Sequence, residues 1–207
     1  MNIIQRFLLL LFLIPTVLFG QTEKYQLVVN GGAGYSFLGT SIWKFIYFPT
    51  TGQVTSVSVP YSGTVDFGLS DKFSVGLGCA YQSLTDNIDW GSFYLRKDEV
   101  VDEKMSRLNT AVRLLYHFDA SDNADLYMGF RTGLSFWKET NDSGDPYFTP
   151  TIPNKTFPSI QYLLGFRLYI AAGIGIHGEI GLGTPYLAEG GLSFRIYSNK
   201  SKCKTKQ

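Results

Sequence analysis

YSGTVDFGLSDKFSVGLGCAY, residues 61–81, is the stretch of sequence that decides the fold. Apolar or small side chains take every second position from Tyr61 to Leu69, and again from Phe73 to Tyr81. A period of two is typical of a β-strand with one apolar face. The polar pair Asp71-Lys72 is short enough to be the turn between two such strands. The stretch therefore predicts an antiparallel β-hairpin.

The same alternation recurs along the chain and predicts eight strands. Each repeat is close to the roughly 9 to 11 residues with which a tilted strand crosses a bilayer. The sequence after residue 20 has no long amphipathic helix pattern and no segment that approaches a transmembrane helix. The alternating stretches are residues 27–37, 61–69, 73–81, 108–118, 126–136, 160–170, 174–182 and 188–196.

The connections between these stretches alternate between short and long. The short ones are residues 70–72, 119–125 and 171–173. The long ones, which are polar or rich in proline, are residues 38–60, 86–105 and 138–158. Short periplasmic turns and longer extracellular loops are typical of outer-membrane β-barrels. The connection around Thr184-Pro185-Tyr186 departs from this pattern, because it is brief but lies on the long-loop side.

The second face of the strands distinguishes a membrane barrel from a soluble one, which has the same period but turns its apolar face inward. Here that face combines arginines and carboxylates with many glycines, such as Gly76, Gly129 and Gly165. On a solvated exterior, glycine only weakens a strand, whereas in a narrow lumen it makes room for long arginines. The sequence therefore predicts an all-β, eight-stranded antiparallel transmembrane β-barrel, an up-and-down meander with a packed polar lumen.

Charged residues on this inner face are predicted to form a lumenal ion-pair network. Buried charges persist only when they are paired and hydrogen-bonded, because desolvating an unpaired charge is costly. Arg107 and His117 lie near strand ends, where we expect them to be hydrated instead. The predicted network consists of Asp66, Arg113, Arg131, Arg167, Glu179, Glu189 and Arg195.

The apolar face carries aromatic residues near the strand ends, among them Phe73 and Tyr116. Aromatic girdles at both interfaces are expected of a barrel in lipid, although an aromatic cluster in a soluble barrel has a similar pattern. Cys79 shares this face with Leu77. We therefore expect it to be a small apolar residue and not the disulfide partner of Cys203.

Length and the N-terminal segment indicate one secreted domain. At 207 residues the chain is within the range of a single all-β domain. Residues 1–20 are typical of a secretory signal, with Arg6 before an apolar run that is shorter than a transmembrane helix needs. We predict a cleaved signal peptide at 1–20, a barrel at 21–197 and a lysine-rich periplasmic tail at 198–207.

Four stretches resemble strands of a known family: FSVGLGCAY at 73–81, SRLNTAVRLLYHF at 106–118, GFRLYI at 165–170 and GLSFRIY at 191–197. The family is that of the small outer-membrane β-barrels of the OmpA and OmpX type, in particular the single-domain versions of Bacteroidetes-like bacteria. The resemblance covers nearly all of the mature chain. It implies recognition by the barrel-assembly machinery through an aromatic C-terminal residue. Phe194 or Tyr197 matches that residue, but further residues follow Tyr197.

Motifs for catalysis, cofactors or metals are weak in this sequence. The run Asn30-Gly31-Gly32-Ala33-Gly34 lacks the spacing of a phosphate-binding turn. The two histidines, His117 and His177, lack metal-ligand spacing. His177 and Glu179 could combine with Ser193 in a hydrolase or acyltransferase, but His177 faces the interior, out of reach of outer-leaflet lipid. We therefore expect no enzyme, no cofactor and no metal site.

The long loops are the better place to look for function, because a rigid barrel positions recognition residues on its loops. Their aromatic residues suit contacts with a protein or a glycan. The aromatic residues of the first loop are equally consistent with a first hairpin that continues above the membrane. The candidate loop contacts are Trp43, Phe45, Tyr47, Trp90, Phe93 and Tyr94.

These observations favour an outer-membrane protein of a Gram-negative bacterium with a structural or surface-recognition role. An open porin needs about 16 to 18 strands, so the eight predicted here disfavour one. The alternatives are a narrow channel, a lipid-modifying enzyme and a soluble periplasmic or secreted barrel. We expect a monomer with both termini in the periplasm, in contact with outer-membrane lipid and the barrel-assembly machinery. Loss of Arg6, one of 18 basic residues, leaves as many basic residues as the 17 acidic ones, so nucleic acid is not an expected partner.

Overall fold

The computed structural model describes residues 26–36, 54–89, 100–118, 123–141, 154–171 and 173–196. In chain order the strands are β1 (Leu27–Tyr35), β2 (Val54–Val57), β3 (Tyr61–Gly68), β4 (Phe73–Asp89), β5 (Val100–His117), β6 (Ala124–Asn141), β7 (Thr156–Ala171), β8 (Ile174–Gly183) and β9 (Ala188–Ile196). None of these segments contains a helix long and apolar enough to cross a membrane. Outside the described residues lie the predicted signal peptide at 1–20, the tail at 198–207 with Cys203, and the six candidate loop aromatics.

The strands close into a barrel because the first strand pairs with the last. Each of β1 and β3 to β9 pairs antiparallel with its neighbours in this order, and β1 also pairs with β9. Val29 thus lies between Val65 on one side and Phe194 on the other. The prediction of an eight-stranded antiparallel meander is confirmed. We call the end with brief connections, such as residues 69–72, the short-turn end, and the opposite one the long-loop end.

The short strand β2 extends β3 at the long-loop end, within what the sequence predicts as the first long loop. It pairs with β4 at Val57 and Leu84, whereas β3 pairs with the same strand at Tyr61 and Tyr81. Between these two pairs, the segment that joins β2 and β3 has one residue more than β4 has. The extra residue makes a β-bulge. Pro60 lies in this bulge, where its missing N–H removes no ladder hydrogen bond.

The strands at the long-loop end extend further than the apolar pattern predicts. The ladder between β4 and β5 continues to the pair Asp89 and Val100, and β6 and β7 are also longer than expected. The predicted loop boundaries 86–105 and 138–158 are therefore wrong. Backbone ladder hydrogen bonds need no apolar side chain, so the strands continue with polar residues where the alternation stops.

Side-chain exposure is the reverse of that in a soluble barrel. Leu77 and Tyr162 on the outer face are each 67% exposed, whereas Asn109, Arg113 and Arg131 on the inner face are 0% exposed. A soluble barrel would bury the first set and hydrate the second. The apolar exterior and polar interior are those of a transmembrane barrel.

The outward apolar side chains form a belt of the height expected for a bilayer core. Along β5 and the residue that follows it, the belt runs from Leu108 to Phe118. At about 3.3 Å per residue and a strand tilt of about 40°, this span rises roughly 25 Å. At the short-turn end, ring centroids of Phe73 and Tyr116 lie 5.2 Å apart and those of Tyr116 and Phe118 lie 5.4 Å apart, edge to face. Aromatic rings therefore border the belt at this end.

Candidate functional site

Four charged side chains from four strands meet in the centre of the lumen. Nη2 of Arg113 on β5 lies 2.5 Å from Oε1 of Glu179 on β8, and its Nε lies 3.3 Å from Oδ1 of Asp66 on β3. Nη2 of Arg167 on β7 lies 2.5 Å from Oδ2 of Asp66. These side chains are at most 1% exposed, so salt screens their contacts little. We call Asp66, Arg113, Arg167 and Glu179 the central ion network.

Gly76 allows Asp66 and Arg113 to meet across the strand that separates them. The register places Gly76 of β4 opposite Asp66 on one side and opposite Arg113 on the other. A Cβ atom at position 76 would collide with Oδ1 of Asp66. Because glycine has no side chain, the carboxylate and the guanidinium reach each other over the backbone of β4. The glycine thus sets which two charged groups can pair.

Gly165 allows a second contact of this kind, between Tyr127 and Glu179. It lies on β7, opposite Tyr127 of β6 and opposite Glu179 of β8. The Tyr127 hydroxyl donates to Oε1 of Glu179 at 2.7 Å. The ring of Tyr127 also lies 4.3 Å from the guanidinium carbon of Arg167, at cation–π distance. Tyr127 therefore joins the central ion network. Its alternation with Gly129 and Arg131 placed it on the inner face, but the sequence did not reveal its partners.

Asp125 and His117 extend the network to the short-turn end. Nη1 of Arg167 lies 3.0 Å from Oδ2 of Asp125. Oδ1 of Asp125 lies 2.8 Å from Nδ1 of His117, and Nε2 of His117 lies 2.8 Å from Oγ of Ser74. His117 is only 1% exposed, so the expectation that it is hydrated is wrong. The turn before β4 continues the ladder past it, since the His117 N–H donates to the Lys72 carbonyl at 2.8 Å.

Arg107 and Arg131 occupy the lumen towards the long-loop end and bind neutral acceptors. Arg107 donates to Oε1 of Gln82 at 2.8 Å and to the Pro185 carbonyl at 2.7 Å. Arg131 donates to Oδ1 of Asn109 at 2.7 Å. Within the described part of the chain, neither guanidinium forms an ion pair. Arg107 is 1% exposed, so its expected hydration is also wrong, because the β8–β9 connection covers it.

The brief connection between β8 and β9 folds into the lumen. Tyr186 is 1% exposed, and its hydroxyl donates to Oε2 of Glu179 at 2.6 Å. Its carbonyl accepts a hydrogen bond from Nε2 of Gln161 at 2.6 Å, and its ring centre lies 5.6 Å from the guanidinium carbon of Arg131. This connection is short because it fills the end of the lumen instead of projecting from it. No strand periodicity marks residue 186, so the sequence alone did not reveal this role.

Glu189 and Arg195, the other two predicted network residues, contact other side chains, although Glu189 lies directly opposite Glu179 in the register of β8 and β9. Oε1 of Glu189 lies 3.1 Å from Nε2 of His177, and the guanidinium carbon of Arg195 lies 3.5 Å from the centre of the Tyr169 ring. The hydroxyl of Ser193 lies 3.3 Å from that of Tyr169. Among the described residues, Ser193 and His177 therefore do not share the hydrogen bond that a hydrolase arrangement needs.

Comparison with known proteins finds a likeness of fold. No family model and no curated protein matches the chain. The outer membrane protein OprG from Pseudomonas aeruginosa is similar in structure, with a TM-score of 0.51 and 10% identity over 87% of this chain and 100% of OprG. The N-terminal β-barrel domain of Pseudomonas aeruginosa OprF has a TM-score of 0.45 and 13% identity, over 84% of this chain and 100% of that domain. Ail, the attachment invasion locus protein of Yersinia pestis, has a TM-score of 0.42 and 8% identity, over 84% of this chain and 99% of Ail. The likeness to OprG shows that this chain has the fold of a small outer-membrane β-barrel.

Proposed function

We propose that the chain is an outer-membrane β-barrel protein of a Gram-negative bacterium, with a structural or surface-recognition role and no open pore. One observation carries this proposal: an apolar belt surrounds a lumen filled by the central ion network and Tyr186. Exposing such a belt to water is unfavourable, so the barrel needs lipid around it. The filled lumen leaves the exterior and the loops as the surfaces available for function.

Recognition, in this proposal, takes place at the long-loop end, which faces the cell exterior while both termini lie in the periplasm. The barrel holds that end rigidly. The six candidate aromatic residues of the first two long loops supply the contacts to a protein or glycan. The protein acts as a monomer and is inserted by the barrel-assembly machinery. An origin in Bacteroidetes-like bacteria belongs to the same proposal, on the strength of the strand resemblance.

A narrow channel is the second candidate, and unpaired polar atoms in the lumen favour it. Oδ1 of Asn30, Nη1 of Arg107 and Oε1 of Gln161 are buried without a hydrogen-bond partner among the described residues. Buried polar groups of this kind are commonly satisfied by water. A water-filled path past Tyr186 that is wide enough for a hydrated ion would conduct ions.

Fractionation and conductance measurements test the two candidates. We expect the mature protein to sediment with the outer membrane and to leave it only with detergent. Release by alkaline carbonate would overturn the membrane proposal. In planar bilayers we expect no discrete conductance. Regular single-channel steps would favour the narrow channel over the closed barrel.

A pull-down with the detergent-solubilised protein tests the recognition role. The matched control is a variant in which residues 40–50, which contain Trp43, Phe45 and Tyr47, are replaced by a flexible glycine-serine linker. We expect a partner that the control fails to retain. A partner retained equally by both proteins would contradict recognition through the first loop.

A further inference from the structure

A groove of about 380 Å³ lies at the long-loop border of the apolar belt, on the outside of the barrel. Its lower wall is apolar and consists of Leu108 and Phe136, with Tyr81 beside them. Its upper wall is polar and includes Lys138, Lys155 and Thr156. The two walls together give the groove one apolar and one cationic end.

The register explains why the polarity changes at this level. Phe136 lies opposite Leu108 across β5 and β6. The next pair on the outer face of these two strands, towards the long-loop end, is Lys138 and Ser106. One step along the outer face thus changes an apolar pair into a pair with a cation. The N–H of Trp137 donates to the Lys155 carbonyl at 2.9 Å, which brings Lys155, the residue before β7, to the same level.

Among the described residues that line the groove, the charged side chains are all positive. Lys138 and Lys155 are both exposed, and none of the described residues that line the groove is a carboxylate. Neither lysine forms an ion pair with any residue that the structure describes.

We propose that this groove binds the phosphate-bearing headgroup of an outer-leaflet lipid, with an acyl chain of the same molecule along Leu108 and Phe136. The level of the groove supports a lipid as the occupant, because headgroup phosphates lie where the apolar belt of a barrel ends. Basic clusters at this level attract anionic lipid headgroups. Lysine stems can also lie along the apolar wall while the ammonium groups reach the phosphate. This inference rests on the proposed membrane location of the protein.

Native mass spectrometry of the full mature protein in detergent tests the proposal. The probes are dioctanoyl phosphatidic acid, dioctanoyl phosphatidylcholine and inorganic phosphate. We expect phosphatidic acid to bind most tightly, because it alone among the three probes combines acyl chains with a phosphate headgroup of net negative charge. Equal binding of inorganic phosphate would overturn the lipid assignment, and equal binding of phosphatidylcholine would overturn the role of the charge.

The double variant K138Q/K155Q is expected to bind phosphatidic acid about tenfold more weakly, because two charges near the headgroup are lost. The matched control is K72Q, which removes an exposed lysine from the turn at the short-turn end. An equal loss in K72Q would show unspecific attraction and overturn the site.

Heat-resistant migration on gels reports the folded barrel for every variant. A wild-type protein that fails to fold in phosphatidylcholine vesicles would refute the membrane proposal itself, whereas a folded wild type without lipid preference refutes only the groove.

Discussion

Tyr127 donates a 2.7 Å hydrogen bond to Glu179 although a whole strand lies between them. The bond passes over Gly165, where a Cβ atom would lie 2.6 Å from the Tyr127 hydroxyl oxygen. Both residues are at most 2% exposed, so water does not satisfy either group if the bond is lost. The contact between Tyr127 and Glu179 therefore requires that residue 165 has no side chain.

Gly165→Ala is expected to lower the free energy of unfolding by about 2 to 3 kcal/mol. The added methyl group pushes the Tyr127 ring away from Glu179, which costs a buried hydrogen bond to a charged group together with overpacking. Denaturant unfolding in lipid vesicles, followed by tryptophan fluorescence, measures the effect. The control is Gly63→Ala on the outer face, where the nearest atoms lie 3.9 Å from the new methyl group and the change should stay within about 0.5 kcal/mol. Equal effects of the two substitutions would contradict this account.

Arg113→Met is expected to destabilise the barrel more than Arg131→Met. The first substitution removes the partner of two buried carboxylates, Asp66 and Glu179, and breaking a buried ion pair costs about 3 to 5 kcal/mol. The second removes a cation whose described acceptors are neutral, with an expected cost of about 1 to 2 kcal/mol. Adding Glu179→Gln to Arg113→Met should restore part of the loss. A double variant no more stable than the single one would argue against the pairing.

The stability difference between the wild type and Arg113→Met is expected to be independent of salt. The ion pairs of Arg113 involve side chains at most 1% exposed, and counterions screen buried pairs far less than exposed ones. Unfolding of both proteins at about 0.1 M and about 1 M sodium chloride gives the two differences. A difference that shrinks by more than half in high salt would show that the pairs are hydrated.

Ser74, His117 and Asp125 have the hydrogen-bond connectivity of a catalytic triad, and we expect their role to be structural. The serine side of the triad is closed to a substrate, since Ser74 is 3% exposed. A fluorophosphonate probe should leave the folded protein unlabelled, while Ser74→Ala should cost about 1 kcal/mol of stability through the lost hydrogen bond to His117. Labelling of the wild type that disappears in Ser74→Ala would instead identify a hydrolase.

Tyr186→Ala is expected to open the lumen at the long-loop end. The substitution removes the ring that lies between Glu179 and Arg131, and the space left behind is lined by polar groups that water can enter. Planar-bilayer recordings should show small conductance steps for the variant and none for the wild type. Leu187→Ala is the matched control in the same connection, because Leu187 is exposed. Steps of equal size in wild type and variant would mean that Tyr186 does not close the lumen.

The pattern of the sequence was sufficient to predict the strands and their two faces. Phe73 and Leu77, assigned to the outer face by alternation, are 55% and 67% exposed. The pattern failed where the strand ends are covered by other parts of the chain. Arg107 and His117 were expected to be hydrated but are buried, because connections that are distant or irregular in the sequence lie over them.

The sequence by itself determined that the chain forms eight alternating strands, and that glycines and charged residues share one face. These features depend on neighbours along a single strand, so a local period reveals them. Only the tertiary structure decided which charges meet. Arg167 lies 101 residues from Asp66 in the chain, and Arg113 lies 66 residues from Glu179. Such contacts cross the lumen, and they depend on the register of every intervening strand in the closed sheet and on the space left by Gly76 and Gly165.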